Sequence, residues 1–554
     1  GSRGSVGSSL VATLCGVTEV NPLAPHYHCP PCRKVEFSSA SPVGVDLPPR
    51  ACPFCGTPYN REGFNIPFEV FLGFNGEKVP DIDLNFSGAF QAEAHKYVEE
   101  LFGPEHTFRA GTISTMQSRL AFGFVKKYLE SVGANPPGAE VDRLVAGCEG
   151  IKKTTGQHPG GIIIVPKDMD IYDFTPVQRP ADDSDSGTVT THFDHESMHD
   201  TLVKIDILGH DNPTSIRHLS DLTGADPEMI PLNDPKVLSI FSGIDALAFR
   251  ENTHDWKVGT LGVPEFGTPF VMQMLEKTRP KTFGELVGIC GLAHGTAVWR
   301  GNAEELVDKR IADLSTVISC RDDIMLYLIR KGIPGEKAFK IMEDVRKGKG
   351  LKPDQEALMK EKAIPTWYVN SCKKISYLFP KAHAVAYVLM AFKIAWFKVF
   401  HPLAFYADYL TNNLHAVNAN DLCQKAPHIR QRLREIEAKS KTEKLTAKDE
   451  DQKNILLVSL EMNLRGFECQ KVDLYKSDES KFKITNGKLL PPLASLPGIA
   501  GKAAQAISAE RGNAPFKSLE DLSVRCGANK VVLEALSAHG ALADLPQTNQ
   551  VNLF

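Results

Sequence analysis

Apolar residues with two different spacings divide the chain into strand-rich and helical stretches. Residues 161–165 and 202–208 are short, nearly continuous apolar runs, which predict buried strands. Residues 94–98 and 122–125 carry apolar side chains at helical spacing. The stretch 91–155 is therefore predicted to be helical.

The rest of the chain continues this alternation. Residues 235–425 are predicted to be mostly helical, and the Lys/Glu-rich residues 426–455 predict a linker or a solvent-facing helix. Residues 68–74 and 456–484 contain strand-like pieces, and short helices with a polar tail follow residue 489. A chain of 554 residues exceeds one ordinary domain, so we expect three to five domains in an α/β multidomain fold.

Composition narrows the class of protein. The chain is 42% hydrophobic and 23% charged, which is typical of globular proteins. Its net charge of −4 argues mildly against nucleic-acid binding, since such proteins usually show a basic footprint. We find no signal peptide or membrane span, because Lys393 and Lys398 interrupt the most apolar stretch, 384–400. Together with the cysteine pattern described below, this predicts a cytoplasmic protein.

The first candidate site is the glycine- and serine-rich segment 1–9. Glycines allow backbone N–H groups to turn toward a phosphate, and serine hydroxyls add donors. A flexible linker has the same composition, and the chain opens directly into this segment as a piece of a longer protein would. Its interpretation depends on the next motif.

That motif is PDIDLNF at 80–86. On a strand, Asp81 and Asp83 would share one face, where a divalent cation relieves their mutual repulsion. An exposed acidic turn is the alternative for an isolated Asp-x-Asp. A phosphate-binding loop followed by such a pair is the arrangement of a nucleotidyltransferase, which needs a third carboxylate from another strand.

Three downstream acids compete for that third position. Asp194 and Asp200 lie in a polar, histidine-rich stretch that predicts a solvated loop. Asp206 lies inside an apolar strand, where a carboxylate is costly unless a cation compensates it. We therefore expect Asp206 to join the acidic pair, although Lys204 on the same strand face offers a plain ion pair instead.

The cysteines give the strongest signal. Two Cys-x-x-Cys pairs, separated by nineteen residues (33–51), predict a structural zinc ribbon whose ligands are Cys29, Cys32, Cys52 and Cys55. His26 and His28 lie close by as less favoured ligands. The other eight of the twelve cysteines are scattered, which fits a reducing compartment rather than a disulfide framework.

Taken in order, these motifs resemble one family. The chain is similar to the PolC type of bacterial DNA polymerase III in its Gly-Ser loop, both cysteine knuckles, PDIDLNF at 80–86, TGQHPGG at 155–161, KIDILGHD at 204–211 and FPKAHAVAY at 379–387. The similarity extends over nearly the whole chain. The family's PHP, OB and proofreading domains lie upstream of this region.

The resemblance implies a β-type nucleotidyltransferase palm with a zinc ribbon, a helical thumb and fingers, and a helix-hairpin-helix C-terminal domain. The corresponding segments are 1–90 for the first part of the palm with the zinc ribbon, 91–155 for the thumb, 156–235 for the second part of the palm, 236–425 for the fingers, and 426–554 for the duplex-binding region with a clamp-binding tail.

The resemblance also implies roles for residues. Asp81, Asp83 and Asp206 would hold two Mg²⁺ ions, and the nucleotide-binding residues would be Ser2, Arg3, Gly4, Ser5, Arg321, Lys381 and His383. Read from the sequence alone, Arg321 equally suits a helix-surface ion pair, and Lys381 and His383 suit capping or snorkelling roles. His158 lines the palm floor or is a structural histidine.

Two features near the C-terminus suggest macromolecular partners. Gly498, Gly501 and Lys502 would form a hairpin that binds DNA phosphates, although Ala500 stands where the family tends to have glycine. Gln550, Leu553 and Phe554 resemble a sliding-clamp binding motif, for which a frayed tail is the alternative.

The expected function is template-directed DNA synthesis. A primer 3′-hydroxyl would attack the α-phosphate of a dNTP with two Mg²⁺ ions assisting, on primer-template DNA held with the sliding clamp and other replisome subunits. The alternatives are a different β-type nucleotidyltransferase, or a non-enzymatic or inactive fragment that binds DNA and clamp.

Overall fold

A computed structural model describes residues 1–76, 78–179, 188–199, 201–250 and 256–548. Its strands are β1 (His26–Cys29), β2 (Lys34–Phe37), β3 (Asn60–Glu62), β4 (Ile82–Ser87), β5 (Thr107–Thr115), β6 (Lys152–Ile164), β7 (Val177–Gln178), β8 (Thr190–Asp194), β9 (Val203–His210), β10 (Lys483–Thr485) and β11 (Lys488–Leu490). The fold is mixed α/β and has several hydrophobic cores.

The helices lie between and after these strands. They are α1 (Leu10–Leu14), α2 (Glu69–Leu72), α3 (Gln91–Phe102), α4 (Ser118–Ser131), α5 (Gly138–Cys148), α6 (Asp211–Thr223), α7 (Pro235–Ser239), α8 (Pro269–Thr278), α9 (Phe283–His294), α10 (Glu304–Asp308), α11 (Arg321–Arg330), α12 (Gly335–Arg346), α13 (Pro353–Glu361), α14 (Thr366–Lys374), α15 (Lys381–Phe400), α16 (Pro402–Asn412), α17 (Ala419–Leu422), α18 (Ala426–Thr442), α19 (Ala447–Leu464), α20 (Gly501–Asn513), α21 (Leu519–Cys526) and α22 (Lys530–His539).

A six-stranded sheet of order β4-β9-β6-β5-β8-β7 carries the acidic motifs. β4 pairs with β9 in parallel, and β9 pairs with β6 antiparallel. One face packs Ile162 and Ile207 against Val98 of α3, while Ile163 packs with Ala110, Met198 and Leu202. The strands predicted at 161–165 and 202–208 are thus present as β6 and β9, and their continuous apolar character follows from burial on both faces.

Three predictions of secondary structure are wrong. Residues 107–115 form strand β5 inside the stretch predicted to be helical, because its β-branched residues pair with β6. Residues 69–72 form helix α2 rather than a strand. The stretch 456–484 begins as the end of helix α19, which packs Leu456, Leu460 and Leu464 against α18.

The central helical region surrounds α15. Most of this 20-residue helix is buried in the largest hydrophobic core. Among the helices of the described residues, it alone is long and apolar enough to cross a membrane. However, 78% of its most apolar 18-residue stretch is buried inside the protein. Its two interior lysines are paired, Lys393 with Glu19 and Lys398 with Glu461.

Candidate active site

The paired strands β4 and β9 place two carboxylates side by side. Asp83 of β4 stands opposite Asp206 of the parallel strand β9. Asp81 precedes β4 by one residue and is more exposed. Asp81 lies two residues before Asp83, and Asp83 lies next to Asp206. The three acids are therefore close together at the edge of the sheet that β4 forms.

The electrostatics at this position are unfavourable without a cation. Burial, followed by the nearby charges of Asp206 and Asp81, raises the pKa of Asp83 to about 7. Lys204 offsets part of this repulsion, since its Nζ lies 2.9 Å from Oδ2 of Asp206. The other oxygen of Asp206, Oδ1, is buried and accepts no hydrogen bond. A buried carboxylate oxygen without a partner fits a divalent cation at this position.

His158 does not supply the missing positive charge. Its Nδ1 lies 3.5 Å from Oδ1 of Asp206, but the same nitrogen accepts hydrogen bonds from the backbone N–H groups of Gly160 (3.2 Å) and Gly161 (2.7 Å). A nitrogen that accepts carries no proton, so it cannot donate to Asp206. Burial also lowers the pKa of His158. This histidine shapes the turn into β6 and leaves Asp206 unsatisfied.

Of the other two candidates for the third acid, Asp194 has a structural role. Its Oδ1 accepts hydrogen bonds from the N–H and the hydroxyl of Ser197 and caps the turn His195–Ser197. Asp200 lies outside the described residues. Asp206 is therefore the acid that the structure brings beside Asp83.

The Gly-Ser segment runs along β4. The N–H of Arg3 donates to the carbonyl of Asp83 at 3.1 Å, and Ser2 bridges to Leu84. Gly4 has φ +62°, and a Cβ on it would stand 2.5 Å from Oδ2 of Asp83. Only glycine allows this approach of the backbone to the acid.

The two serines predicted to bind nucleotide lie below the protein surface. Ser2 and Ser5 are both buried, and the Ser2 hydroxyl donates to Thr18 at 2.7 Å. The charged member of the segment, Arg3, is half-buried. Its guanidinium lies close enough to lower the pKa of His210 and His383, after the larger effect of burial on each.

Residues at the start of α15 border the acidic site on the side of the helical region. Nδ1 of His383 accepts a hydrogen bond from the N–H of Gly4 at 3.2 Å, which leaves Nε2 as the protonated nitrogen. Burial, with His294, Arg3 and His210 nearby, lowers the pKa of His383 to about 3. The ring is therefore neutral, and it packs against Tyr387 and Phe379.

Lys381 and Arg321 are far apart along the chain, but both lie beside Asp322. The backbone N–H of Lys381 donates to Oδ2 of Asp322 at 2.7 Å, and Arg321 begins α11. Arg321 is 4% exposed, so the predicted alternative of a helix-surface ion pair does not describe it. Its Nη2 donates to the carbonyl of Val70 while its Nε is buried without a partner.

Lys78 is a candidate that the sequence did not suggest. Its Nζ donates to the same Val70 carbonyl at 3.1 Å. Burial and the adjacent charge of Arg321 lower its pKa to about 8. The two cations share one carbonyl, and the carboxylate of Glu343 is close enough to offset part of their charge. The available signal was the place of Lys78, three residues before Asp81, but a single lysine in a loop carries little information.

The cysteine knuckles come together as predicted from their spacing. Sγ of Cys29 lies 3.5 Å from that of Cys55, and Sγ of Cys52 lies 3.9 Å from that of Cys32. All four sulfurs lie within 4.8 Å of one another. Four thiolates around Zn²⁺ would be about 3.8 Å apart, so this possible Cys₄ zinc site needs little rearrangement. His26 and His28 instead face Glu62.

The C-terminal unit is a small helical bundle with its own core. Gly498, at φ +96°, makes the turn before α20, which begins at Gly501 and Lys502. Ala500 occupies the N-cap without a side-chain hydrogen bond, and a Cβ on Gly501 would meet open space. Gln550, Leu553 and Phe554 lie outside the described residues.

Comparisons with known proteins agree with this layout. Residues 1–135 and 132–209 match the family described as "Bacterial DNA polymerase III alpha NTPase domain", and residues 212–364 match the "Bacterial DNA polymerase III alpha subunit finger domain". Residues 466–551 match the "Helix-hairpin-helix motif".

Relatives with the name "DNA polymerase III PolC-type" are similar over the full chain. The identity is 54% to those of Caldanaerobacter subterraneus and Bacillus subtilis and 52% to that of Staphylococcus aureus, over 556 aligned positions. The chain spans 40%, 39% and 39% of the length of these relatives.

Proposed function

We propose that this chain, which belongs to the PolC-type family of bacterial DNA polymerase III, is the part of such a polymerase that carries out template-directed DNA synthesis. The observation that carries the proposal is the parallel pairing of Asp83 with Asp206 beside the Gly-Ser segment. This arrangement combines paired carboxylates with a backbone approach that only glycine permits.

In this proposal Asp81, Asp83 and Asp206 hold two Mg²⁺ ions. Bound Mg²⁺ supplies the charge that favours attack of a primer 3′-hydroxyl on the α-phosphate of a dNTP and departure of pyrophosphate. The buried Oδ1 of Asp206 is the free acceptor that supports this assignment. Before a cation binds, Lys204 stabilises the charge of Asp206 through its 2.9 Å contact.

The protein's cationic groups would orient the triphosphate. Arg3 stands beside His383 and His210 on one side, and Lys78 with Arg321 forms a second buried cationic position. Lys381 starts the helix that carries His383. His383 is neutral, and its ring is held by the hydrogen bond from Gly4. It would therefore offer the triphosphate a ring surface and a single Nε2–H donor, but no charge.

The remaining parts follow the family's organisation. We assign 1–90 and 156–235 to a palm, 236–425 to fingers and 426–554 to a duplex-binding region. Within the segment 91–155, β5 and the start of β6 belong to the palm sheet, so a thumb would consist of α4 and α5. Zn²⁺ held by Cys29, Cys32, Cys52 and Cys55 would stabilise the palm's ribbon and take no part in the reaction. The backbone around Gly498, Gly501 and Lys502 would bind duplex phosphates without reading sequence.

Primer extension tests the proposal. Wild-type protein should extend a primer on a template with dNTPs and Mg²⁺, far better than with rNTPs and not without template. Asp83→Asn should abolish extension, while Asp194→Asn, which keeps the oxygen that caps the turn, should not. A wild-type protein that binds primer-template but extends nothing would instead support the alternative of an inactive DNA-binding fragment.

The tail provides a separate test for the clamp as a partner. Deletion of residues 550–554 should strongly weaken binding to the sliding clamp and synthesis of long products, whereas short extension without clamp should be almost unchanged. A matched variant with Gln550, Leu553 and Phe554 replaced by alanine should behave like the deletion. Equal loss in both assays would show that the tail supports the fold and not the clamp.

A further inference from the structure

A second group of metal-ligand side chains lies in the helical region, away from the acids and the cysteine knuckles. Cys290 and His294 are four residues apart on helix α9, so they lie on one face of that helix. Glu265 reaches the same place from the loop before α8. One ligand atom from each of the three residues lies within 4.8 Å of the others.

The hydrogen bonding of His294 orients its ring as in a metal ligand. Nδ1 lies 2.7 Å from the carbonyl oxygen of Cys290, and since a carbonyl only accepts, Nδ1 carries the proton. In the neutral ring, Nε2 then has a lone pair, and it faces Oε2 of Glu265 at 3.2 Å. A cation between them removes this repulsion. A proton on Nε2 is one such cation: burial disfavours it, but the hydrogen bonds to Cys290 and Glu265 outweigh burial and raise the pKa of His294 to about 11. A metal ion in the same place would replace that proton. A histidine that donates its other N–H to a backbone carbonyl is the usual arrangement around a metal.

The distances suit a small tetrahedral ion. Nitrogen and oxygen ligands at about 2.0–2.1 Å from zinc are about 3.3 Å apart, close to the 3.2 Å observed between Nε2 and Oε2. The Cys290 sulfur is 1% exposed and lies 3.5 Å from Nδ1. Bringing this sulfur into a zinc coordination sphere would need a side-chain movement of about 1 Å.

The backbone at Glu265 is a second, independent observation. Glu265 is one of the non-glycine residues with positive φ (+65°), a conformation that side chains rarely adopt and that is concentrated at functional sites. This strained residue aims its carboxylate at His294. Glu265 also lines a cavity of about 310 Å³ that extends to Asp408 and Asn412.

We propose that Glu265, Cys290 and His294 bind one transition-metal ion of the zinc class, with the fourth position open to water. Thiolate, imidazole and carboxylate together are typical ligands of zinc, and three protein ligands leave one position exchangeable. A protonated imidazole paired with Glu265 is the alternative, and the metal measurements below distinguish the two. The ion would also fix the ring of His294, whose centroid is 5.1 Å from that of His383.

Metal stoichiometry tests the site in the whole chain. After dialysis against excess Zn²⁺ and removal of loosely bound ions, elemental analysis should find about one equivalent more per chain in wild type than in Cys290→Ser or Glu265→Gln. Cys372→Ser, which removes another fully buried cysteine, is the matched control and should keep both ions. The zinc held by the knuckles is counted separately in Cys55→Ser, which should lose a different equivalent.

Cobalt substitution identifies the ligands. Co²⁺-loaded wild type should show a thiolate-to-cobalt charge-transfer band, and Cys290→Ser should lose the part of its intensity that corresponds to one thiolate while Cys372→Ser keeps all of it. Wild type that binds no metal beyond the knuckle equivalent, or Cys290→Ser and Glu265→Gln that retain the full wild-type content, would overturn the proposal and leave a protonated ion pair only. Thermal melts of the same samples separate metal loss from unfolding, and Glu265→Gln, on a surface loop, keeps the test valid if Cys290→Ser does not fold.

Discussion

The cysteine knuckles and the acidic edge of the six-stranded sheet both gather groups that a cation would hold together, but they assemble differently. The knuckles lie within residues 29–55 and pack on a small core of their own with Tyr27, Leu47 and Tyr59. Asp83 and Asp206 come from distant parts of the chain and meet only through the parallel pairing of β4 with β9. Parallel strands need a long crossover, which here contains β5 to β8 and three helices.

The two sites also differ in how they tolerate the absence of an ion. The four sulfurs can share protons, since hydrogen bonding with Thr57 lowers the pKa of Cys55 to about 6 while hydrogen bonding with Cys55 raises that of Cys32 to about 12. The sulfurs already stand at distances of 3.5 and 3.9 Å. Burial, followed by repulsion between the carboxylates, raises the pKa of Asp83 to about 7, and the ammonium of Lys204 pairs with Asp206. The comparison shows that local packing brings four thiols together, whereas the paired carboxylates need a positive charge beside them.

Replacing the third acid should have the largest effect. Asp206→Asn should lower single-turnover nucleotide incorporation by several orders of magnitude, because the neutral amide removes the negative charge and one of the two oxygens available to a cation. Binding of primer-template should stay close to normal. Asp194→Asn is the control with wild-type rates. If Asp206→Asn instead melts at lower temperature with only modest kinetic loss, its carboxylate is simply the ion-pair partner of Lys204.

Breaking the knuckles should affect stability first. Cys32→Ser should release zinc and lower the free energy of unfolding by several kcal/mol, since metal binding contributes directly to folding. Nucleotide affinity should change little. Cys148→Ser, on helix α5, serves as a cysteine control. Fresh wild-type protein with less than about half a zinc per chain at the knuckles would contradict the assignment.

The buried, neutral ring of His383 should make the stability of the protein fall at low pH. Folded His383 keeps its pKa near 3, whereas the unfolded imidazole protonates below its ordinary value of 6.5. The unfolded state therefore binds more protons in that window, and stability falls as the pH falls. At about pH 5 the loss from this residue is about 2 kcal/mol relative to neutral pH. Denaturant unfolding of His383→Gln should lack this part of the slope.

Exposed His415 provides the control for that measurement, and His415→Gln should retain the wild-type slope. An identical acid sensitivity in His383→Gln would show that the unfavourable burial of His383 is relieved by local opening.

The smallest effect is expected at Lys204. Lys204→Met removes the cation that neutralises Asp206, so Mn²⁺ should bind severalfold more tightly while the metal-free protein becomes slightly less stable. Titration followed by electron paramagnetic resonance measures the affinity. Lys152→Met, at an exposed position on β6, is the control. Weaker Mn²⁺ binding in Lys204→Met would mean that the lysine supports the metal site and does not compete with the metal.

Much of the chemistry was predictable because it is local in sequence. Two Cys-x-x-Cys pairs predict a tetrahedral site wherever the intervening loop folds back, and the structure brings those sulfurs together. The apolar runs around 161–165 and 202–208 predict buried strands because a half-exposed strand would alternate. The prediction failed at 107–115, where pairing with β6 decided the conformation over local spacing.

The orientation of individual groups was not predictable in the same way. The serines of the Gly-Ser segment are suitable phosphate donors by type, but Ser2 is directed into the protein by Thr18. Lys78 and Arg321 are 243 positions apart and converge on the carbonyl of Val70. No periodicity or motif encodes such a meeting.

By itself, then, the sequence determined the residue types, the strand and helix character of most segments and the likeness to one polymerase family, because these depend on neighbours along the chain. The tertiary structure decided that Asp206 rather than Asp194 stands beside Asp83, that His158 accepts from the backbone and leaves Asp206 unsatisfied, and that His383 is neutral. Those outcomes depend on strand register, burial and the direction of single hydrogen bonds, which arise only when distant segments pack together.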